Sequence, residues 1–318
     1  MSATLDEAAR LRTLWTDAPD AMEQLGGMAS AGAIDQSLCN DLAHFIAHGW
    51  LVMPGAIEPA LIDRFVSDIR RVHRHPGKFV RTDHRNGGAS LQVTGKSPDR
   101  FESLLDLFVN LESSRRVCMH PRIARFLIAV FKARPLAFQQ LLFQRSNGHL
   151  FHQDTAYVAV DEPLYLAATW IALEDVVEGS GELGYYDASH KLPHVLFKGG
   201  TKRFDFSADD QQEYQRQLDG MCRERGLEYR RFLANKGDVF FWAADLVHRS
   251  HPRVLPEDTS RLSCVTHYCP ATVHPYWFRF HPDNRGIEPD MSGSGGAFAS
   301  SFYQLPNNGR MVAPNRLA

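Results

Sequence analysis

Two short patterns in the sequence pair a histidine with an aspartate two residues later, and such a pair can hold a metal ion. One consists of His152 and Asp154, and the other of His281 and Asp283. In an extended chain, residues i and i+2 point to the same face, so an imidazole and a carboxylate can reach one ion together. This arrangement supplies two of the three ligands of a facial triad, which leaves coordination positions open for substrate and oxygen.

The order of residues along the chain distinguishes the two pairs. A facial triad needs another histidine from a later strand, and His281 is the last histidine in the sequence. His152 is followed by His248, which comes after an apolar run that is typical of a buried strand. His251 is a local competitor, but it lies next to a proline in a predicted loop. We therefore predict that His152, Asp154 and His248 are the metal ligands and catalytic residues.

An arginine follows this set at the start of the last predicted strand. Arg261 shares one strand face with Ser263 and Val265, because alternate residues of a strand point the same way. A guanidinium inside a barrel must be paired, and its planar fork grips a carboxylate through two parallel hydrogen bonds. The sequence therefore indicates a site for a 2-oxo acid cosubstrate beside the metal.

The elements that must position these residues fall into a helical part and a later strand-rich part. Asp35 is predicted to cap a helix that ends at Gly49, and a strand follows directly. Apolar periodicity predicts further helices at 61–72, 99–109 and 121–132. Short runs rich in β-forming residues predict strands at 136–145, 149–160, 164–173, 182–187, 229–234, 238–243 and 261–269. Helices followed by many short strands favour a jelly-roll barrel flanked by N-terminal helices.

The domain organisation and the bulk composition narrow the class of protein. We predict a flexible N-terminal extension over 1–33, one domain over 34–284 with a helical insertion at about 190–228, and a tail over 285–318. A formal net charge of −2 and a pI near 6.7 favour a small-molecule partner over nucleic acid or an anionic membrane. The N-terminus lacks the apolar core of a signal peptide, no membrane-spanning stretch is visible, and five scattered cysteines favour reduced thiols, so we expect a cytoplasmic protein.

With these residues in place, the sequence resembles the phytanoyl-CoA dioxygenase family of Fe(II)/2-oxoglutarate-dependent oxygenases over about 40–270. The segments that carry the resemblance are 49–55, 140–144, the pair His152 and Asp154, 170–175, 179–191, 237–238, 248–250 and Arg261. The resemblance implies a double-stranded β-helix of the cupin-like type that holds iron on His152, Asp154 and His248. The sequence departs from the family at 185–188 and in the long insertion after Lys191, so the family's substrates are not carried over.

The resemblance also implies a cosubstrate site. Arg261 would hold the distal carboxylate of 2-oxoglutarate, with Ser250 as a helper, and Trp170 would line the pocket. Gln140 and Gln144 resemble polar contacts to the keto-acid end in some relatives, although both are equally compatible with ordinary strand amides.

The expected reaction uses O2 and 2-oxoglutarate to hydroxylate or desaturate a small-molecule metabolite, with release of succinate and CO2. Two other classes stay open: a cupin-like isomerase or hydrolase that holds zinc or manganese, and a jelly roll that only binds a metabolite. Candidate substrate contacts are Arg81, His84, Arg145 and Tyr157. A polar metabolite is favoured, a CoA thioester or a lipid remains open, and the oligomeric state is not predicted.

Overall fold

The computed structural model describes residues 11–74, 104–109, 111–145, 148–256, 259–276 and 295–300. Six α-helices lie in this part of the chain, five of them before the main strands. They are α1 (Ala21–Ser30), α2 (Gln36–His48), α3 (Pro59–Arg74), α4 (Glu112–Cys118), α5 (Pro121–Phe131) and α6 (Gln211–Glu224). Within the described residues, no helix is both long and apolar enough to cross a lipid bilayer.

The strands form two sheets. They are β1 (Trp50–Met53), β2 (Leu104–Leu105), β3 (Pro135–Phe143), β4 (Ala167–Ala172), β5 (Leu183–Tyr186), β6 (Tyr229–Phe232), β7 (Val239–Ala243), β8 (His248–Ser250), β9 (Ser263–Pro270) and β10 (Ala297–Phe298). The larger sheet has the order β1-β7-β4-β9-β3-β10, with β2 also paired to β3, and the smaller has the order β6-β5-β8. All pairs are antiparallel except β3 with β10.

The two sheets pack against each other, and helices cover the outer face of the larger one. One buried cluster joins Trp170 and Trp242 of the larger sheet to Leu183 of the smaller sheet. On the opposite face of β7, the ring of Phe241 lies 4.8 Å from that of Phe126 in α5. Alternate residues of the central strands thus serve two cores, as expected for a sheet buried on both faces. The predicted mostly-β fold with flanking helices is confirmed, and its two packed sheets are consistent with the predicted double-stranded β-helix.

Several predicted elements agree with the structure at their ends. The side chain of Asp35 accepts a hydrogen bond from the backbone N–H of Leu38 at 2.9 Å, which caps α2. That helix ends at Gly49, whose φ of 77° is a left-handed conformation that glycine adopts without strain. The predicted insertion contains α6, which buries Tyr214 and Leu218 against Phe204.

Other predicted elements differ from the structure. Part of the predicted flexible extension is folded, because Leu14 and Leu25 are buried in the helix-side core. Part of the predicted tail likewise forms β10, with Phe298 fully buried. The predicted helix over 99–109 is wrong where the structure describes it: 104–105 is a strand and 107–109 a short 3-10 helix, while the helix lies at 112–118.

Candidate metal centre

Two histidines are placed side by side by the backbone of the smaller sheet. The N–H of His152 donates to the carbonyl of His248 at 3.0 Å, and the N–H of His248 donates to the carbonyl of His152 at 3.0 Å. This reciprocal pair extends the sheet beyond β8 by one residue pair. The strand predicted over 149–160 is reduced to this bridge and to a second one at Val160, because a 3-10 helix begins at Asp154. The extended geometry assumed for His152 and Asp154 therefore stops at the metal-binding segment itself.

Hydrogen bonds fix which nitrogen of each imidazole faces the cavity. Nδ1 of His152 lies 2.8 Å from the carbonyl oxygen of Leu150, and Nδ1 of His248 lies 3.0 Å from that of Leu246. A carbonyl can only accept, so each Nδ1 carries the proton and each Nε2 presents a lone pair. Burial, followed by the nearby His248 ring, lowers the pKa of His152 to about 4. Burial also lowers the pKa of His248, so both rings are neutral at neutral pH.

Asp154 completes the set with one of its two oxygens. Its Oδ1 lies 3.7 Å from Nε2 of both histidines, and one donor atom from each of the three residues lies within 4.8 Å of the others. Its Oδ2 accepts a hydrogen bond from Nε1 of Trp242 at 2.7 Å and lies 3.3 Å from Nε2 of His267. Burial opposes ionisation, but His248, His267 and His152 together hold the pKa of this carboxyl below its usual range. Oδ1 is therefore left for a metal.

The donor set fits a divalent transition metal. Within the described residues, the ion-pair partners of Asp154 are histidines and include no lysine or arginine. The negative charge thus faces two imidazole lone pairs, an arrangement that a cation would complete. Two histidines and one carboxylate with open positions are the ligands typical of non-haem Fe(II) sites.

The triad opens onto a cavity of about 430 Å³, which Arg261 also lines. The Arg261 guanidinium is buried, donates from Nη1 to the carbonyl of Gly181 at 2.8 Å, and has no hydrogen-bond partner at Nε. It lies 5.7 Å from the ring of Trp170. Burial lowers the pKa of Arg261 to about 10, which leaves it charged at neutral pH. A buried cation with unused N–H groups beside a metal site suits a carboxylate ligand.

The other predicted cosubstrate residues divide into two groups. Ser250 and Trp170 line the cavity, and Oγ of Ser250 accepts a hydrogen bond from the N–H of His149 at 2.8 Å. Gln140 and Gln144 are not among the lining residues, whereas Gln139 is. The amide oxygen of Gln140 accepts a hydrogen bond from Ser114 in α4, on the helix side of the sheet.

A β-bulge explains why Gln139 takes the place predicted for Gln140. Before it, Phe138 packs on the inner side with Val158, which lines the cavity. The pairing with β9 shifts between Ala137 and Gln139, and beyond that shift Gln139 and Leu141 face the cavity. One extra residue in a strand exchanges the faces of all residues that follow it. Counting alternate residues from the sequence could not reveal this exchange.

Of the predicted substrate contacts, Tyr157 lines the cavity and Arg145 does not. Arg81 and His84 lie outside the described residues. Sequence reasoning missed Trp242 and His267, which both contact Asp154. The alternation that placed Arg261 and Val265 on one face extends to His267, so a signal for it was present.

A second buried carboxylate lies close to the metal-binding segment. Oδ1 of Asp245 accepts from Oγ1 of Thr155 at 2.6 Å, and Oδ2 accepts from Nζ of Lys202 at 2.7 Å and from Nδ1 of His194 at 3.0 Å. Its backbone carbonyl accepts from the side chain of Gln153 at 2.8 Å. This Asp245 network fastens the insertion to the residues on either side of Asp154.

Comparisons with known proteins agree with this geometry. A family model described as phytanoyl-CoA dioxygenase matches residues 45–254, and no curated protein matches the chain. The fold resembles the alpha-ketoglutarate-dependent epimerase SnoN from nogalamycin biosynthesis, with a TM-score of 0.55 and 19% identity over 83% of this chain and 98% of that one. It also resembles the carbocyclase SnoK from nogalamycin biosynthesis, with a TM-score of 0.53 and 16% identity over 76% of this chain and 87% of that one. A third similar structure is EctD from S. alaskensis, with a TM-score of 0.54 and 15% identity over 72% of this chain and 76% of that one. Structures of SnoN and EctD contain iron and 2-oxoglutarate or alpha-ketoglutarate.

Proposed function

The chain belongs to the phytanoyl-CoA dioxygenase family, and we propose that it is an Fe(II)/2-oxoglutarate-dependent oxygenase acting on a small molecule. One observation carries this proposal. A single cavity contains both the His-Asp-His set and Arg261, a buried guanidinium that forms no ion pair with an acidic side chain of the described residues.

In this proposal, His152, Asp154 and His248 hold the iron. Iron bound there, together with 2-oxoglutarate and O2, supplies the oxidising chemistry, with succinate and CO2 as coproducts. Arg261 binds the distal carboxylate of 2-oxoglutarate, because its Nε and the neighbouring Ser250 hydroxyl are available at the cavity wall.

The remaining residues position these groups. The Trp242 hydrogen bond to Oδ2 of Asp154 keeps Oδ1 directed between the two imidazoles. Leu141, Leu183 and Val265 line the cavity with apolar groups, which exclude water from the reacting centre. These residues therefore orient the metal ligands and keep water out of the cavity.

We further propose hydroxylation, with desaturation as the alternative outcome. The similar structures include an epimerase and a carbocyclase, and a structure of EctD contains 5-hydroxyectoine. The product therefore has to be read by mass: hydroxylation adds one oxygen atom, desaturation removes two hydrogen atoms, and epimerisation changes nothing.

An anaerobic titration tests the cofactor assignment. Addition of Fe(II) and 2-oxoglutarate should produce a visible metal-to-ligand charge-transfer band, which His152→Ala abolishes and His251→Ala retains. Arg261→Gln should raise the Kd for 2-oxoglutarate by about 30-fold or more, since the cosubstrate carboxylate then lacks its charged partner. A folded protein that gives no band would reject the proposal and favour a different metal enzyme or a binding protein.

We also propose that the enzyme works in the cytoplasm, where thiols stay reduced. All five cysteines are free, and four of them are buried. The proposed catalytic domain spans 34–284, together with the folded parts of the flanking segments.

A further inference from the structure

The insertion contributes an exposed aromatic side chain to the mouth of the cavity. Phe206 is 76% exposed and lines the cavity. Its ring lies 6.0 Å from that of Tyr157 with an angle of 29° between the planes, and 5.0 Å from the ring of Phe204. Together these rings form an aromatic patch at the mouth of the cavity, and an exposed apolar patch at such a place indicates a binding surface.

The position of Phe206 is fixed by the backbone on either side of it. The N–H of Phe204 donates to the carbonyl of Ala156 at 2.8 Å, at the end of the 3-10 helix that starts with the metal ligand. The carboxylate of Asp205 accepts from the N–H of Ser207 at 2.9 Å and from its hydroxyl at 2.7 Å. The aromatic surface is thus tied to the metal-binding turn.

Two amide side chains lie at the same mouth. Gln211 and Gln215 both line the cavity, and their i, i+4 spacing places them on one face of α6. Nε2 of Gln211 lies 3.4 Å from the hydroxyl of Tyr157. An amide both donates and accepts, so this pair suits hydroxyl or carbonyl groups.

The carboxylate of the cavity wall already has a role. Among the described lining residues, Asp154 faces the metal and Arg261 the cosubstrate. Arg249 also lines the cavity; its guanidinium lies 5.0 Å above the ring of Phe151, and its Nε has no hydrogen-bond partner among the described residues. Among the described lining residues, no second carboxylate is therefore left for a substrate ammonium group.

We infer that the substrate is a molecule without an ammonium group whose flat aromatic or conjugated ring carries hydroxyl or carbonyl groups. The ring stacks on the surface formed by Tyr157 and Phe206, and the polar groups bond to Gln211 and Gln215. This inference rests on the proposed function, because it assigns the molecule bound at the mouth as the one oxidised in the cavity.

Binding of two matched probes tests the inference: 2-naphthol and 2-naphthylmethylammonium. Their Kd values are measured by calorimetry at pH 7.5, with protein loaded with Fe(II) and 2-oxoglutarate under argon, and again with metal-free protein. We expect 2-naphthol to bind at least about fivefold more tightly than the ammonium probe, whose charge finds no carboxylate other than Asp154 among the described lining residues. Phe206→Ala should weaken the binding of 2-naphthol by about 3- to 10-fold.

Matched variants on one helix test the amides. Gln211→Ala/Gln215→Ala should reduce the preference for 2-naphthol over naphthalene by about threefold or more. Gln212→Ala/Gln217→Ala changes two glutamines of α6 that are exposed and do not line the cavity, and should leave that preference unchanged.

Tighter binding of the ammonium probe, an unchanged Kd in Phe206→Ala, or no measurable binding of 2-naphthol would each overturn the inference. The two proposals fail separately. If the probe ranking holds in a protein that gives no charge-transfer band, the ligand class stands and the oxygenase assignment falls. If the band forms but the ranking is absent, the oxygenase assignment stands and the ligand class falls.

Discussion

Two buried carboxylates near the metal-binding segment have opposite surroundings. Asp154 and Asp245 are 4% and 5% exposed, and both have a pKa held below the usual range. Asp245 has both oxygens occupied, with Lys202 as a cationic partner at 2.7 Å. Asp154 keeps Oδ1 between two histidine nitrogens and has no lysine or arginine partner among the described residues.

These different surroundings indicate that the Asp245 carboxylate has a structural role and that the Asp154 carboxylate binds a cation. A buried charge must be compensated, and Lys202 supplies that compensation inside the Asp245 network. Around Asp154, burial lowers the pKa of His152 and of His248, and no lysine or arginine of the described residues pairs with the carboxylate, so a bound cation would supply the compensation. Burial alone does not distinguish the two sites; the identity of the partner does.

The largest effect is expected from Asp154→Asn. Metal affinity should fall by about a thousandfold or more, because Asp154 is the anionic member of the three ligands and its charge is lost. The stability of the metal-free protein should fall by only about 1 kcal/mol, since the amide oxygen can still accept from Trp242. Titration with Co(II), followed by its absorption, and urea unfolding measure the two quantities. A large loss of stability with unchanged metal affinity would reverse the roles assigned to the two carboxylates.

Lys202→Met should give the opposite pattern. Removal of the cation leaves the buried Asp245 with only His194 and Thr155 as side-chain partners, which should lower the free energy of unfolding by about 3 kcal/mol. Co(II) affinity of the folded variant should change by less than about tenfold. Lys198→Met, on an exposed lysine of the same insertion, is the control and should leave stability unchanged. Equal stability of both variants would show that the Lys202 pair does not hold the insertion.

Trp242→Phe tests whether the hydrogen bond that orients the Asp154 carboxylate contributes to metal affinity. The ring is kept but the hydrogen bond to Oδ2 of Asp154 is lost, so metal affinity should fall by about tenfold. Trp50→Phe is a matched control on the paired strand, because it removes a 2.8 Å bond from a tryptophan to Asp187 instead. If both variants lower Co(II) affinity equally, the effect arises from packing and not from orientation of the ligand.

The smallest effect concerns acid stability. Burial opposes ionisation of Asp245, but Lys202, His194 and Thr155 hold its pKa below the usual value. The unfolded chain therefore takes up a proton near pH 4 that the folded protein does not, so this stabilisation is present above that pH and lost below it. Lys202→Met/Asp245→Asn should flatten the decline of stability between pH 5 and 3 by up to about 1.4 kcal/mol per pH unit.

Asp63→Asn, which removes an exposed carboxylate, is the control for this measurement. It removes one carboxylate outside the Asp245 network, so the difference between the two variants isolates the contribution of Asp245. A double variant whose profile matches that of the unaltered protein would show that Asp245 titrates alike in both states.

The sequence predicted the metal ligands because their order along the chain restricts the choice. A histidine on a later strand can join His152 and Asp154, whereas no histidine follows His281. The structure brings the three predicted side chains together. The mostly-β fold with flanking helices was also predictable, because runs of β-forming residues follow a helical first part.

Features that depend on local backbone irregularity or on distant packing could not be predicted. The bulge in β3 moves Gln139 into the cavity and Gln140 out of it, with no turn residue to mark the change. Trp242 lies in a strand that is apolar at every position, so its sequence does not show which face meets Asp154. The Asp245 network joins three parts of the chain that are far apart in sequence, and no spacing links them.

The reciprocal hydrogen bonds between His152 and His248 have a consequence for the evolution of the site. His152 and His248 form one hydrogen-bonded residue pair between neighbouring strands, so the separation of their imidazoles is set by strand pairing and not by the surrounding loops. Asp154 starts a turn of its own, and its carboxylate is held by side-chain contacts with Trp242 and His267. A mutation of either contact can therefore alter the carboxylate and the choice of ion, while the spacing of the two histidines, which depends on backbone hydrogen bonds, is kept.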